Sequence, residues 1–150
     1  MSTDLETLAR RAVACRHWRW MPGMAVMPEE ADPLIDKDSR MAFHATEIRV
    51  TAAAFEICEP EHRFVEVSLL LNGKSRSYGS MFTKHLLPDL SDPATVGCLA
   101  ALVREATGKP HLFSQFTLQE SWSICDLHDH RSHFVGSEAE AWIEVLEEVP

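Results

Sequence analysis

LPDLSDPATVGCLAALVREATG, residues 87–108, contains a complete helix: its start, its stop and the face it buries. Asp92 is placed to cap the first turn, because a carboxylate accepts from amides that the turn leaves unpaired. Pro93 stands at the first helical position, where a missing N–H costs nothing. Gly108 supplies the flexible residue just past the end, and Pro110 bars continuation. Between these limits Val96, Leu99, Leu102, Val103 and Ala106 recur at helical spacing and predict one buried stripe. Thr95, Ala101, Arg104 and Glu105 fall mostly off it.

Upstream, Thr3-Asp4-Leu5-Glu6 reads as a capping box with Thr3 as cap. Leu5, Leu8, Ala12 and Cys15 continue a helix predicted to end near Arg16 or Trp18. Pro22-Gly23 breaks the chain, and Met24 to Met27 is a short strand candidate. Residues 28–40 are acidic, carry Pro33, lack periodicity and read as a surface loop. Glu47 to Thr51 and Phe55 to Cys58 read as strands, with a helical turn possible at Ala52 to Ala54. Arg63 to Leu71 is the best strand, and Asn72-Gly73 turns it into a returning strand over Arg76 to Phe82, because both turn residues tolerate positive φ.

Downstream, His111 to Gln119 and Ser121 to Asp126 are strand candidates. Ser137-Glu138-Ala139-Glu140 is a second capping box. It opens a last helix with Ala139, Trp142, Val145, Leu146 and Val149 on one side and Glu140, Glu144, Glu147 and Glu148 on the other. Hairpin-like joins outnumber βαβ alternation. The expectation is a single α+β domain over residues 1–150, a mainly antiparallel sheet with about three helices packed on it.

With 150 residues, 45% apolar and 25% charged, the chain can bury one core without staples. The net charge of −9 disfavours non-specific attraction to nucleic acid or anionic lipid over most of the surface, and favours solubility or a basic partner. Cys15, Cys58, Cys98 and Cys125 are far apart and form no Cys-x-x-Cys, so they read as reduced thiols of a cytoplasmic protein. The acidic start at Asp4 and Glu6 does not resemble a secretory signal. No apolar run approaches the ~20 residues that cross a bilayer.

Three places could carry function. The glutamates of the last helix, Glu140, Glu144, Glu147 and Glu148, form a docking surface for a basic protein or simply a solvated face. Arg10, Arg11, Arg16, Trp18, Arg19 and Trp20 combine guanidinium groups, which pair phosphate, with indoles, which stack on bases; the alternative is a solvated helix side with core tryptophans. Cys125, His128, His130 and His133 have the chemistry of zinc ligands but lack the second separated pair that zinc sites draw on. Asp126 and Asp129 as paired acids lack the distinct environments that would split their pKa values. No Gly-x-Ser-x-Gly, GxGxxG or complete phosphate-binding loop is present; Gly73-Lys74-Ser75 lacks the earlier glycine. No cofactor is therefore expected, zinc being the alternative, and enzymatic activity is not indicated.

LARRAVACRHWRWMPGM (residues 8–24) and residues 87–108 resemble a family of small uncharacterised proteins of phages and prophages of Gram-negative bacteria. The ending SEAEAWIEVLEEVP is similar to the endings of such proteins. The resemblance covers about a third of the chain and leaves out residues 25–86. It implies an accessory gene product acting in a bacterial cytoplasm. It carries no active site. The expected function is protein–protein binding, with inhibition of a host defence system as one form of it. The alternatives are a nucleic-acid-binding accessory factor and a metal-binding protein or enzyme.

Overall fold

The computed structural model describes residues 2–28, 47–56, 63–127, 129–130 and 134–150. Apart from Pro28, the acidic loop read over residues 28–40 lies outside them. Helices and antiparallel strands make the chain α+β. It gathers into two compact units, Trp20–Asp89 and the discontinuous Met1–Arg19 with Leu90–Pro150.

The unit Trp20–Asp89 is built on strands. β1 is Val26–Pro28, β2 Glu47–Glu56, β3 Arg63–Leu71, β4 Lys74–Phe82 and β5 Leu86–Pro88. β2, β3 and β4 form an antiparallel sheet in that order, and β1 pairs with β5. A bridge between Ala25 and Arg49 links the two. Val65, Val67 and Leu69 alternate inward from β3 and meet Ile48 and Val50 of β2 in the core. Asn72 and Gly73 both have positive φ, 50° and 76°, which matches the type I′ turn expected of this pair.

This unit differs from the sequence reading in two places, one for a local reason and one for a long-range reason. The three alanines do not form a helical turn. β2 runs through them, with register shifts against β3 between Val50 and Ala52 and between Ala52 and Phe55. Alanine has weak strand preference, and bulges absorb the mismatch. β5 was not anticipated, since its three residues are held by a strand about 60 residues earlier in the chain.

The other unit carries α1 (Ser2–Ala14), α2 (Pro93–Thr107), β6 (Phe113–Phe116), β7 (Trp122–Asp126), β8 (Asp129–His130) and α3 (Glu138–Glu148). The α2 ends follow the sequence signals. Asp92 is the cap, Pro93 opens the first turn, and Gly108 sits left-handed at φ 67° with its N–H returning to the helix carbonyls. Leu99, Leu102 and Val103 are buried, each contributing about 1.5–3 kcal/mol of apolar transfer. The stripe is rotated slightly from expectation: Val96 and Ala106 are half-buried, whereas Thr95 and Ala100 are buried. Thr95 tolerates burial because its N–H and hydroxyl both donate to Asp92 Oδ2, each at 2.8 Å.

α1 begins at Ser2, so Thr3 lies inside the helix and is not its cap, and the helix stops at Ala14, short of Arg16. α3 is capped by Ser137, whose Oγ accepts from Glu140 N at 3.2 Å. Ala139, Trp142, Val145 and Leu146 are buried as expected, and Ala141 and Ile143 join them. Arg104 of α2 lies 5.3 Å from the ring centre of Trp142 and donates to Leu112 O, tying α2 to α3 and to the segment before β6. β6, β7 and β8 form an antiparallel sheet in that order, against which α3 packs.

Candidate functional site

The acidic side of α3 is less open than its sequence suggests. Arg11 of α1 reaches across to it, with Nη2 2.5 Å from Glu147 Oε1 and Nη1 3.8 Å from Glu140 Oε1. The hydrogen bond to Glu147 and the fields of Glu147, Glu140 and Glu144 raise the Arg11 pKa above its ordinary value, against partial burial. Glu140 and Glu144 are half-buried, while Glu147 and Glu148 are exposed. The four glutamates thus do not face water as one equivalent set. The helical spacing that puts 140, 144 and 147 on one side also lets a single guanidinium serve them.

Glu148 differs from its neighbours. It borders a pocket of about 290 Å³ between the C-terminal ends of α2 and α3, walled by Ala106, Leu112, Val145 and Val149 and by Lys109, whose ammonium is paired with Asp126 at 3.1 Å. The last turn of α3 has no basic residue. Helix C-terminal carbonyls carry partial negative charge, so Glu148 adds to a field already negative at that end. Such a surface can draw in a cation or a basic side chain.

The basic stretch Arg10 to Trp20 is largely occupied by its own molecule. Arg10 pairs with Glu6 at 2.8 Å. Arg11 is held as described. Arg19 Nη1 donates to Glu105 Oε1 at 2.8 Å and Nη2 donates to the other oxygen. That fork raises the Arg19 pKa and lowers that of Glu105. Arg16 is exposed, Trp18 half-buried. Trp20 belongs to the other unit and is buried, so its face is not offered to a base.

Of the zinc-ligand candidates, Cys125 is buried, its thiol within reach of Gln115 Oε1 at 3.3 Å and Ser123 Oγ at 3.5 Å. His130 pairs with it in the β7–β8 register. His128, His133 and the His130 side chain lie outside the described residues. Among the described residues no group of three or more His, Cys, Asp or Glu is arranged to hold a metal.

Sequence reasoning missed one polar cluster. Asp126 accepts from Lys109 Nζ at 3.1 Å and from Leu127 N at 2.7 Å, and lies 2.6 Å from His111 Nε2. Lys109 and His111 flank the proline that ends α2, and Asp126 ends β7. Their meeting needs the β6–β7 pairing, which no local signal encodes. The cluster is a mixed-charge tie between the end of α2 and the sheet.

Compared with protein-family models, curated proteins and solved structures, the chain matches none of them. No helix among the described residues is long and apolar enough to cross a membrane.

Proposed function

We propose that this is a small acidic accessory protein of phage or prophage type that acts in the cytoplasm of a Gram-negative host by binding a basic protein and inhibiting a host defence system. The observation that carries the reading is the end of α3. Glu148 stands exposed beside a pocket whose own cation, Lys109, is paired with Asp126, at a helix terminus with no basic residue in its last turn, in a chain of net charge −9. A surface of this kind speeds encounter with a basic partner more than it deepens final affinity. The phage assignment rests on the sequence blocks quoted above. The nucleic-acid alternative is weakened because Arg10, Arg11 and Arg19 already answer carboxylates.

The test is affinity capture from a Gram-negative host extract, followed by association kinetics with the captured protein. Glu148→Lys should slow association and flatten its salt dependence. Glu147→Lys is the poorer probe, because it also breaks the Arg11 contact. Duplex DNA should not be retarded at moderate salt. An on-rate that ignores both Glu148→Lys and salt would refute docking through this helix end.

A further inference from the structure

The large apolar side chains that stand exposed among the described residues are Phe113, Phe116, Leu118, Leu127 and Phe134. All lie on the β6–β7–β8 sheet or in its turns. Residues 112–119, LFSQFTLQ, carry no charge at all in a chain of net charge −9. β6 is an end strand of its sheet. Edge strands are usually blunted by charges, proline or a bulge, because their outward amides and carbonyls pair readily with another chain. The β4 edge of the β2–β3–β4 sheet is blunted in this way: β4 carries Lys74 and Arg76, and its register against β3 shifts between Gly79 and Ser77. β6 has no charge, proline or bulge, and its four pairs with β7 run without a shift; its shortness, four residues, is the one protection it has.

The direction of its backbone groups follows from hydrogen bonds one strand away. Trp122 exchanges both its backbone hydrogen bonds with Val135, so they point away from β6. Thr117 N donates to Ser121 O, on the β6 side of the hairpin. Antiparallel pairs alternate between hydrogen-bonded and non-bonded. Phe113 and Gln115 therefore spend their amides and carbonyls on β7, and those of Ser114 and Phe116 point outward.

We propose that β6 is a homodimer interface: the β6 strands of two copies pair antiparallel about a two-fold axis through Gln115. In that register Ser114 of one copy lies opposite Phe116 of the other, and each such pair exchanges two backbone hydrogen bonds. The result is one continuous sheet across both copies. The choice of a second copy follows from the strand itself: residues 112–119 carry no charge, so two copies of the strand bring no charged side chains of their own face to face, while the net charge of −9 on each copy and Glu138 beside Ser114 oppose association and keep it weak. The strand is also its own complement, as a two-fold interface requires.

The axis places Gln115 directly opposite its own copy, where like charges destabilise and opposite charges stabilise. Gln115 is exposed, and its side-chain oxygen accepts from the Cys125 thiol at 3.3 Å, an acceptor that glutamate keeps and lysine loses, so the fold of each variant is checked by circular dichroism. Sedimentation and light scattering should give the wild-type chain a doubled mass. Gln115→Lys and Gln115→Glu, each alone and with native circular dichroism, should lose it. An equimolar mixture should regain it as a dimer holding one chain of each kind, identified by native mass spectrometry. A wild-type chain that stays monomeric up to sub-millimolar concentration overturns the proposal. So do single variants that dimerise like wild type, or a mixture that stays monomeric.

Discussion

Asp92→Ala removes two hydrogen bonds that converge on one carboxylate oxygen at the start of α2, from Thr95 N and Thr95 Oγ1. Loss of an N-cap costs about 0.5–2 kcal/mol. A hydrogen bond to a charged acceptor contributes about 1.5–3 kcal/mol, and Thr95 is fully buried, so water does not replace it in the folded state. The combined loss is about 2–4 kcal/mol. For a chain of this length it lowers the melting temperature by roughly 5–15 °C. Asp92→Asn keeps an acceptor at a position where asparagine caps as well as aspartate, and should cost less than about 1 kcal/mol. Urea unfolding of Asp92→Ala, Thr95→Val and the double variant isolates the side-chain bond. A coupling of about 1–2 kcal/mol is expected, since the double variant loses a bond that either single variant has already broken. Additivity within about 0.5 kcal/mol would refute the reasoning.

Leu99→Asp should give unfolded or insoluble protein, because an unpaired buried carboxylate costs several kcal/mol against a total of roughly 5–15 kcal/mol; Val96→Ala, on the half-buried flank, should stay folded, and thermal melts distinguish the two. Burial and the nearby Glu147 hold the Cys15 thiol above its ordinary pKa, against Arg11. Its neutral form therefore persists at pH 8, and alkylation by iodoacetamide should lag behind that of a small-molecule thiol there and accelerate only at higher pH; equal rates at pH 8 would contradict the assignment. Protein purified without a histidine tag should contain no stoichiometric zinc, and chelator should leave its melting temperature unchanged; one zinc per chain held by Cys125 and two histidines would establish the site the sequence allows.

What was legible in the sequence was written within a few residues of itself. Asp92, Pro93 and Gly108 set the ends of α2, Ser137 the start of α3, and Asn72-Gly73 the turn between β3 and β4. Each is a short-range signal in which the residue type and its backbone conformation have a common cause. Pairings between distant segments were not legible: β5 with β1, the bulged continuity of β2, and Arg11 with a glutamate 136 residues away. The same division governs the candidate sites. The glutamate spacing of α3 could be read directly, but the arginine that pairs with two of those acids comes from α1. The β6 edge could be read only in part, since an uncharged run becomes an interface only once the topology leaves it at the end of a sheet.

The discontinuity of the helical unit bears on the order in which the protein assembles. α1 leaves the ribosome about 120 residues ahead of α3, an interval of roughly 6–25 s at bacterial rates of synthesis. The unit Trp20–Asp89 has all its strand partners in hand well before that interval ends. Through it α1 exposes Leu8, Ala9 and Ala12, which are buried in the finished protein. Its packing partner within the unit is α3, and a 13-residue helix without tertiary packing is marginal in water, so α1 is stabilised only once the last helix has been made.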